Sequence, residues 1–154
     1  MRWLALSAAA AAVVLAAVAN VPGARRLATA SVYFRGHGGS VVCGVFTGSG
    51  VPALLECGTL AQLKPSPSRP SGRTCGGLDF AGNRIRLGVT GGPYGFCSGD
   101  VGVLARIDNA PKLAYGTAKH VGPFACTSTA AWLTCRNGSG RGFALSRNRW
   151  HAVS

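Results

Sequence analysis

Acidic residues are scarce in this chain: Glu56, Asp79, Asp100 and Asp108 stand against 16 Lys and Arg, for a formal net charge of +12 over 154 residues. Paired-carboxylate chemistry therefore has few candidates. Glycoside hydrolysis needs two acids at a set separation, and only Asp100 and Asp108 lie near one another in sequence. The chain also lacks G-x-S-x-G, H-E-x-x-H and G-x-x-x-x-G-K-[ST], which counts against serine-hydrolase, zinc-protease and P-loop nucleotide chemistry. No cysteine pair has C-x-x-C or C-x-x-x-C spacing and no histidine lies at finger distance, so neither a metal nor another cofactor is expected. Beyond the N-terminal segment, no stretch of a dozen residues keeps a 3.6-residue apolar period, which argues against a helical domain.

What is present begins with Met1-Arg2-Trp3 and an apolar run from Leu4 to Ala19 broken only by Ser7. This is the pattern of a secretory signal peptide, with small residues at Ala17-Val18-Ala19 favouring a cut after residue 19 and Ala28-Thr29-Ala30 offering an alternative end at residue 30. The run is Ala-rich and short of the ~20 residues that span a bilayer, so the mature form is expected to have no transmembrane domain. Cleavage after residue 19 removes only Arg2 from the basic count, so the mature protein stays strongly cationic. Such a charge draws a protein toward polyanions, including nucleic acids, acidic wall polymers and anionic headgroups.

All six cysteines, Cys43, Cys57, Cys75, Cys97, Cys126 and Cys135, lie beyond the signal, in a chain directed to an oxidising compartment. They read as three disulfides. Six cysteines allow 15 connectivities, and closeness in sequence on a β meander favours Cys43 with Cys57, Cys75 with Cys97 and Cys126 with Cys135.

Strand patterns recur at Val32 to Arg35, Val41 to Thr47, Ala53 to Cys57, Gly77 to Phe80, Arg84 to Val89, Val101 to Ile107, Phe124 to Ser128, Trp132 to Arg136 and Gly142 to Arg147. Gly and Pro clusters separate most of them. The expected architecture is one all-β, mostly antiparallel domain over residues 31–154, a small disulfide-stapled sandwich or barrel with an exposed Pro-rich loop at 64–73. Toward the C-terminus, Phe124 and Cys126 share one strand face and Leu133 and Cys135 share one on the next. A turn at Thr129 to Ala131 would join the two sulfurs and send Trp132, Thr134 and Arg136 to the other face. Asn137-Gly138-Ser139-Gly140 then forms a second turn, after which Phe143 and Leu145 point inward between Arg141 and Arg147.

Asp100, after Cys97-Ser98-Gly99, reads as a turn residue whose carboxylate accepts backbone N–H bonds. His37, His120 and His151 have loop-like or terminal settings. A secreted ribonuclease would need a base, a histidine acid and a phosphate-binding cation, and Glu56, His120 and an arginine supply those residue types without any sequence sign that they converge. The segments Cys97-Ser98-Gly99-Asp100, Leu113-Ala114-Tyr115-Gly116, Phe124-Ala125-Cys126-Thr127-Ser128, Leu133-Thr134-Cys135-Arg136-Asn137 and Gly140 to Arg147 resemble small secreted actinobacterial, including mycobacterial, proteins that carry a cysteine-containing domain of unknown function. That resemblance implies an exported β domain and supplies no activity.

The expectation is thus a non-enzymatic secreted or envelope-associated domain that binds an anionic polymer or envelope component through a basic C-terminal hairpin. Arg136, Arg141, Arg147, Arg149 and Trp132 are its candidate binding residues, and no catalytic residue is assigned. The alternatives are a small ribonuclease-like hydrolase and an inhibitor or protein-interaction module with an extracellular protein partner.

Overall fold

The computed structural model describes residues 29–68 and 75–154. The expected signal segment, residues 1–19, lies outside the described residues, as do positions 69–74 of the Pro-rich loop. Two antiparallel sheets face each other. One takes β1 (Thr29–Gly36), β2 (Val41–Gly48), β3 (Val51–Gly58) and β5 (Arg84–Gly88), in the order β1-β2-β3-β5. The other is a five-stranded meander of β7 (Ala118–Val121), β8 (Phe124–Ser128), β9 (Leu133–Arg136), β10 (Gly142–Leu145) and β11 (Trp150–Val153). A two-stranded ribbon pairs β4 (Asp79–Phe80) with β6 (Cys97–Ser98).

Period-2 alternation decides what each sheet buries. In the first sheet the register aligns Phe34, Cys43, Cys57 and Ile85 in one row, and Val32, Val45, Leu55 and Leu87 in the next. In the second it aligns Cys126, Cys135 and Phe143, then Ser128, Leu133, Leu145 and Trp150. These rows meet in one core. Cys43 and Cys57 are direct cross-strand partners, as are Cys126 and Cys135, and each pair is disulfide-bonded with Cα atoms 4.1 Å apart. Cys75 and Cys97 form the third bridge, so all three expected pairings are present. The sulfurs of Cys43, Cys57 and Cys135 all lie within 4.8 Å of one another, which places the two cross-strand bridges face to face between the sheets. Each bridge staples two strands of its own sheet, and the two bridges pack against each other where the sheets meet.

Several local expectations are corrected. Val101 to Ile107, whose alternating apolar residues suggest a strand, forms instead a 3₁₀ turn at Gly102–Arg106. Gly102 has φ +50°, and a Cβ there would run into the Arg84 guanidinium and the Glu56 carboxylate, so the chain turns at that point. The turn inserts Val103 against Val42 and Ala110 on the outer face of the first sheet, forming a second, smaller apolar cluster. Strands β6, β7 and β11 were not expected, and the last expected strand stops at Leu145, where Ser146 to Arg149 turn back into β11. β1 begins at Thr29, ahead of the expected domain start at residue 31.

The start of the Pro-rich segment is tethered rather than free. Leu63 and Pro67 are buried. Lys64 N–H donates to Asn148 O, and the Trp150 indole Nε1–H donates to Pro65 O at 2.8 Å. Among the described residues, no helix is long and apolar enough to cross a membrane.

Candidate functional site

The acids have defined places. Glu56 lies on the outer face of the first sheet, in a row with Tyr33, Gly44 and Arg86, and is 1% exposed. Its carboxylate accepts from Arg84 Nη1 at 3.0 Å, from Arg86 Nε at 2.9 Å and Nη2 at 2.8 Å, and from Val103 N at 3.4 Å. Arg86 stacks on the Phe96 ring, with Cζ 3.6 Å from the centroid. Every lone pair of this carboxylate has a use, so Glu56 is a structural counter-ion and has no room to act as a base.

Asp100 behaves as a turn residue. Its Oδ1 accepts from Ser98 Oγ at 2.8 Å and Gly102 N at 3.0 Å. The Ser98 hydroxyl, aided by the Arg84 charge and the Gly102 N–H, holds the carboxyl below its ordinary value and outweighs partial desolvation. Asp79 and Asp108 are exposed.

The histidines do not join these acids. His120 pairs with Ala125 on β7, out of phase with the inward Val121 and Cys126, so it lies on the outer face of the second sheet. Glu56 lies on the outer face of the first. The body of the sandwich separates the two residues that a ribonuclease would need together. His151 meets Trp132 edge to face at 4.9 Å. His37 opens the 3₁₀ turn His37–Gly39 with φ +46°, and its Nδ1 is buried without a hydrogen-bond partner.

The candidate binding residues at the C-terminus fall into two groups. Trp132 is half-buried beside His151, on the outer face where Ala144 is only 2% exposed, so its ring covers the sheet. Arg136 Nη1 donates to Gly140 O at 2.7 Å and lies along the Asn137–Gly140 turn. Arg141 lines a shallow hollow with Gly92, Pro93 and the last residues of β11. Arg147 and Arg149 lie in the turn at the other end of β10, roughly 15 Å away at about 3.3 Å of strand rise per residue. The expected single basic hairpin is therefore two basic ends.

The Arg147 end contains a groove that sequence reasoning missed. A cleft of about 360 Å³ is lined by Arg35, Gly38, Gly39, Ser40, Asp108 and Arg147, among others. A second, of about 320 Å³, lies across Gly38 and Gly39 and is lined by Lys112, Leu113, Ala114 and Tyr115. The two share Gly38 and Gly39 as a saddle, where positive φ angles of +68° and +94° require residues without a Cβ. Arg35 is fixed there by Nε and Nη1 bonds to Ala110 O and Ile107 O, at 2.7 and 2.8 Å. The signal in the sequence was Gly36-His37-Gly38-Gly39, but the side chains around it come from distant segments.

No curated protein and no solved structure matches the chain. A match to the model of the Family of unknown function (DUF6636) spans residues 4–152, nearly the full length, and the chain belongs to that family.

Proposed function

We propose that this is an exported, non-enzymatic domain that works in the medium or cell envelope by binding an anionic partner through the arginines of its C-terminal strands. One observation carries the reading: among the described residues the side chains of Arg141, Arg147 and Arg149 make no hydrogen bond or ion pair, and the ion pairs all go to Arg84 and Arg86. Of the four carboxylates only Glu56 is buried, where two arginines hold it, and against so few acids the basic surface is largely uncompensated. An uncompensated cationic surface on a rigid sandwich attracts polyanions and costs little ordering on binding. Three disulfides and the N-terminal signal pattern support export.

Titration of the oxidised protein with polygalacturonate, RNA and neutral dextran tests the reading. Binding to an acidic polymer but not to dextran is expected, and Arg141→Glu with Arg147→Glu should weaken it and flatten its salt dependence. Equal affinity for dextran, or no loss in the double variant, would refute it.

A further inference from the structure

We propose that the anionic partner is an acidic polysaccharide whose chain lies across the Gly38–Gly39 saddle, one carboxylate seated between Lys112 and Arg35. This rests on the anion-binding reading above and gives it a site and a ligand class. Two cationic heads converge on the saddle: Lys112 Nζ lies 3.9 Å and Arg35 Nη1 4.0 Å from the point a Gly39 Cβ would occupy. No carboxylate is paired with either head. Like charges held this close, over a backbone with no side chain, leave room for a small anionic group from outside.

The walls favour a saccharide over a nucleic acid. Tyr115 is 55% exposed, and its hydroxyl lies 2.6 Å from where a Gly38 Cβ would stand, so its ring borders the saddle and offers an apolar face to a sugar. Leu60, 75% exposed, lines the neighbouring cleft. On that side Asp108, exposed and free of any ion pair, can accept bonds from sugar hydroxyls. A single aromatic contrasts with the rows of stacking side chains that single-stranded nucleic acids use. Arg147 in the same cleft, with Lys64 bridged to Arg149 beside it, extends the positive charge along the path of a polymer.

The test is calorimetric titration of the oxidised protein at 50 mM salt with oligogalacturonate, neutral malto-oligosaccharide and poly(U). Four proteins are compared: wild type, Lys112→Glu with Arg147→Glu, Tyr115→Ala, and Arg136→Glu with Arg141→Glu at the opposite end. Lys112, Tyr115, Arg141 and Arg147 are exposed and Arg136 is half-buried along its turn, so a thermal midpoint for each variant checks that it is folded. Expected are at least a tenfold loss of oligogalacturonate affinity in the groove double variant and several-fold in Tyr115→Ala. The opposite-end variant, which removes only general attraction to the basic surface, should lose clearly less affinity than the groove double variant, and neutral sugar should not bind. Chemical-shift changes at the Gly38 and Gly39 amides provide a second readout. Equal losses at both ends, or unmoved glycine amides, would overturn the groove while leaving general anion binding intact. Tighter binding of poly(U) in the same groove would overturn the saccharide assignment. Absence of any polyanion binding would sink the wider reading with it.

Discussion

Replacing Glu56 by Gln keeps the side-chain shape and removes the charge that two arginines share. Arg84 is only 4% exposed, and in the variant it would face an amide in place of its carboxylate partner. Breaking a buried ion pair from one side typically costs about 3–5 kcal/mol. Two features place this case at the lower end. Arg84 Nη2 keeps its 2.7 Å bond to Asp100 O, and the Asp100 carboxylate remains 3.6 Å from Nη1. Arg86, with 30% of its side chain exposed, can also turn toward water. A loss of about 3 kcal/mol is expected, a large share of the 5–15 kcal/mol that small domains have. At about 4 °C per kcal/mol, the thermal midpoint should fall by roughly 12 °C. Urea unfolding followed by tryptophan fluorescence measures it. Adding Arg84→Met to Glu56→Gln should recover part of the loss, since it removes the stranded charge. A single-variant change below about 1 kcal/mol, or no recovery in the double variant, would refute the structural role given to Glu56.

Further expectations concern the bridges, the N-terminus and pH. Protein recovered from culture medium should begin at Asn20 or Ser31 and take up no thiol-reactive label when folded, as intact mass would reveal; labelling without reduction would contradict the three bridges. Replacing Cys126 and Cys135 together by Ser should lower stability by about 2–4 kcal/mol in denaturant titration. Asp100→Asn should have a small, pH-dependent effect. Because its folded pKa lies below the unfolded value of 3.8, the stabilisation by Asp100 is fully present above that value and fades as pH falls through the folded pKa. With the side chain 80% exposed, the difference between wild type and variant at pH 7 should stay under about 1 kcal/mol and shrink as the carboxyl is protonated in acid.

The fold was legible where alternation and covalent chemistry agreed. Cys126 and Cys135 share faces with Phe124 and Leu133, and once both pairs point inward a cross-strand bridge follows. The same alternation misled at Val101 to Ile107, because Val101, Val103 and Ile107 also alternate, and only the left-handed Gly102 against the Glu56–Arg84 pair turns the chain away. β11 was hidden by its length of four residues and by exposed His151 and Ala152, which leave a weak strand pattern. Grouping Arg136, Arg141, Arg147 and Arg149 by their nearness in sequence overlooked that an extended strand separates its ends. The groove lay beyond reach for the converse reason. Arg35, Lys112 and Arg147 come from β1, the loop before β7 and the β10–β11 turn, and meet only after the two sheets are packed.

The central claim, that uncompensated cations on this sandwich bind an acidic polymer, is tested most directly by the salt dependence of polygalacturonate affinity in the oxidised wild-type protein. With about three cations engaged, and the slope of ~0.7 per neutralised charge known for single-stranded polyanions, raising salt from 50 to 200 mM should weaken binding by roughly tenfold to twentyfold. Binding that does not change over that range, or that is absent at 50 mM, would contradict the account.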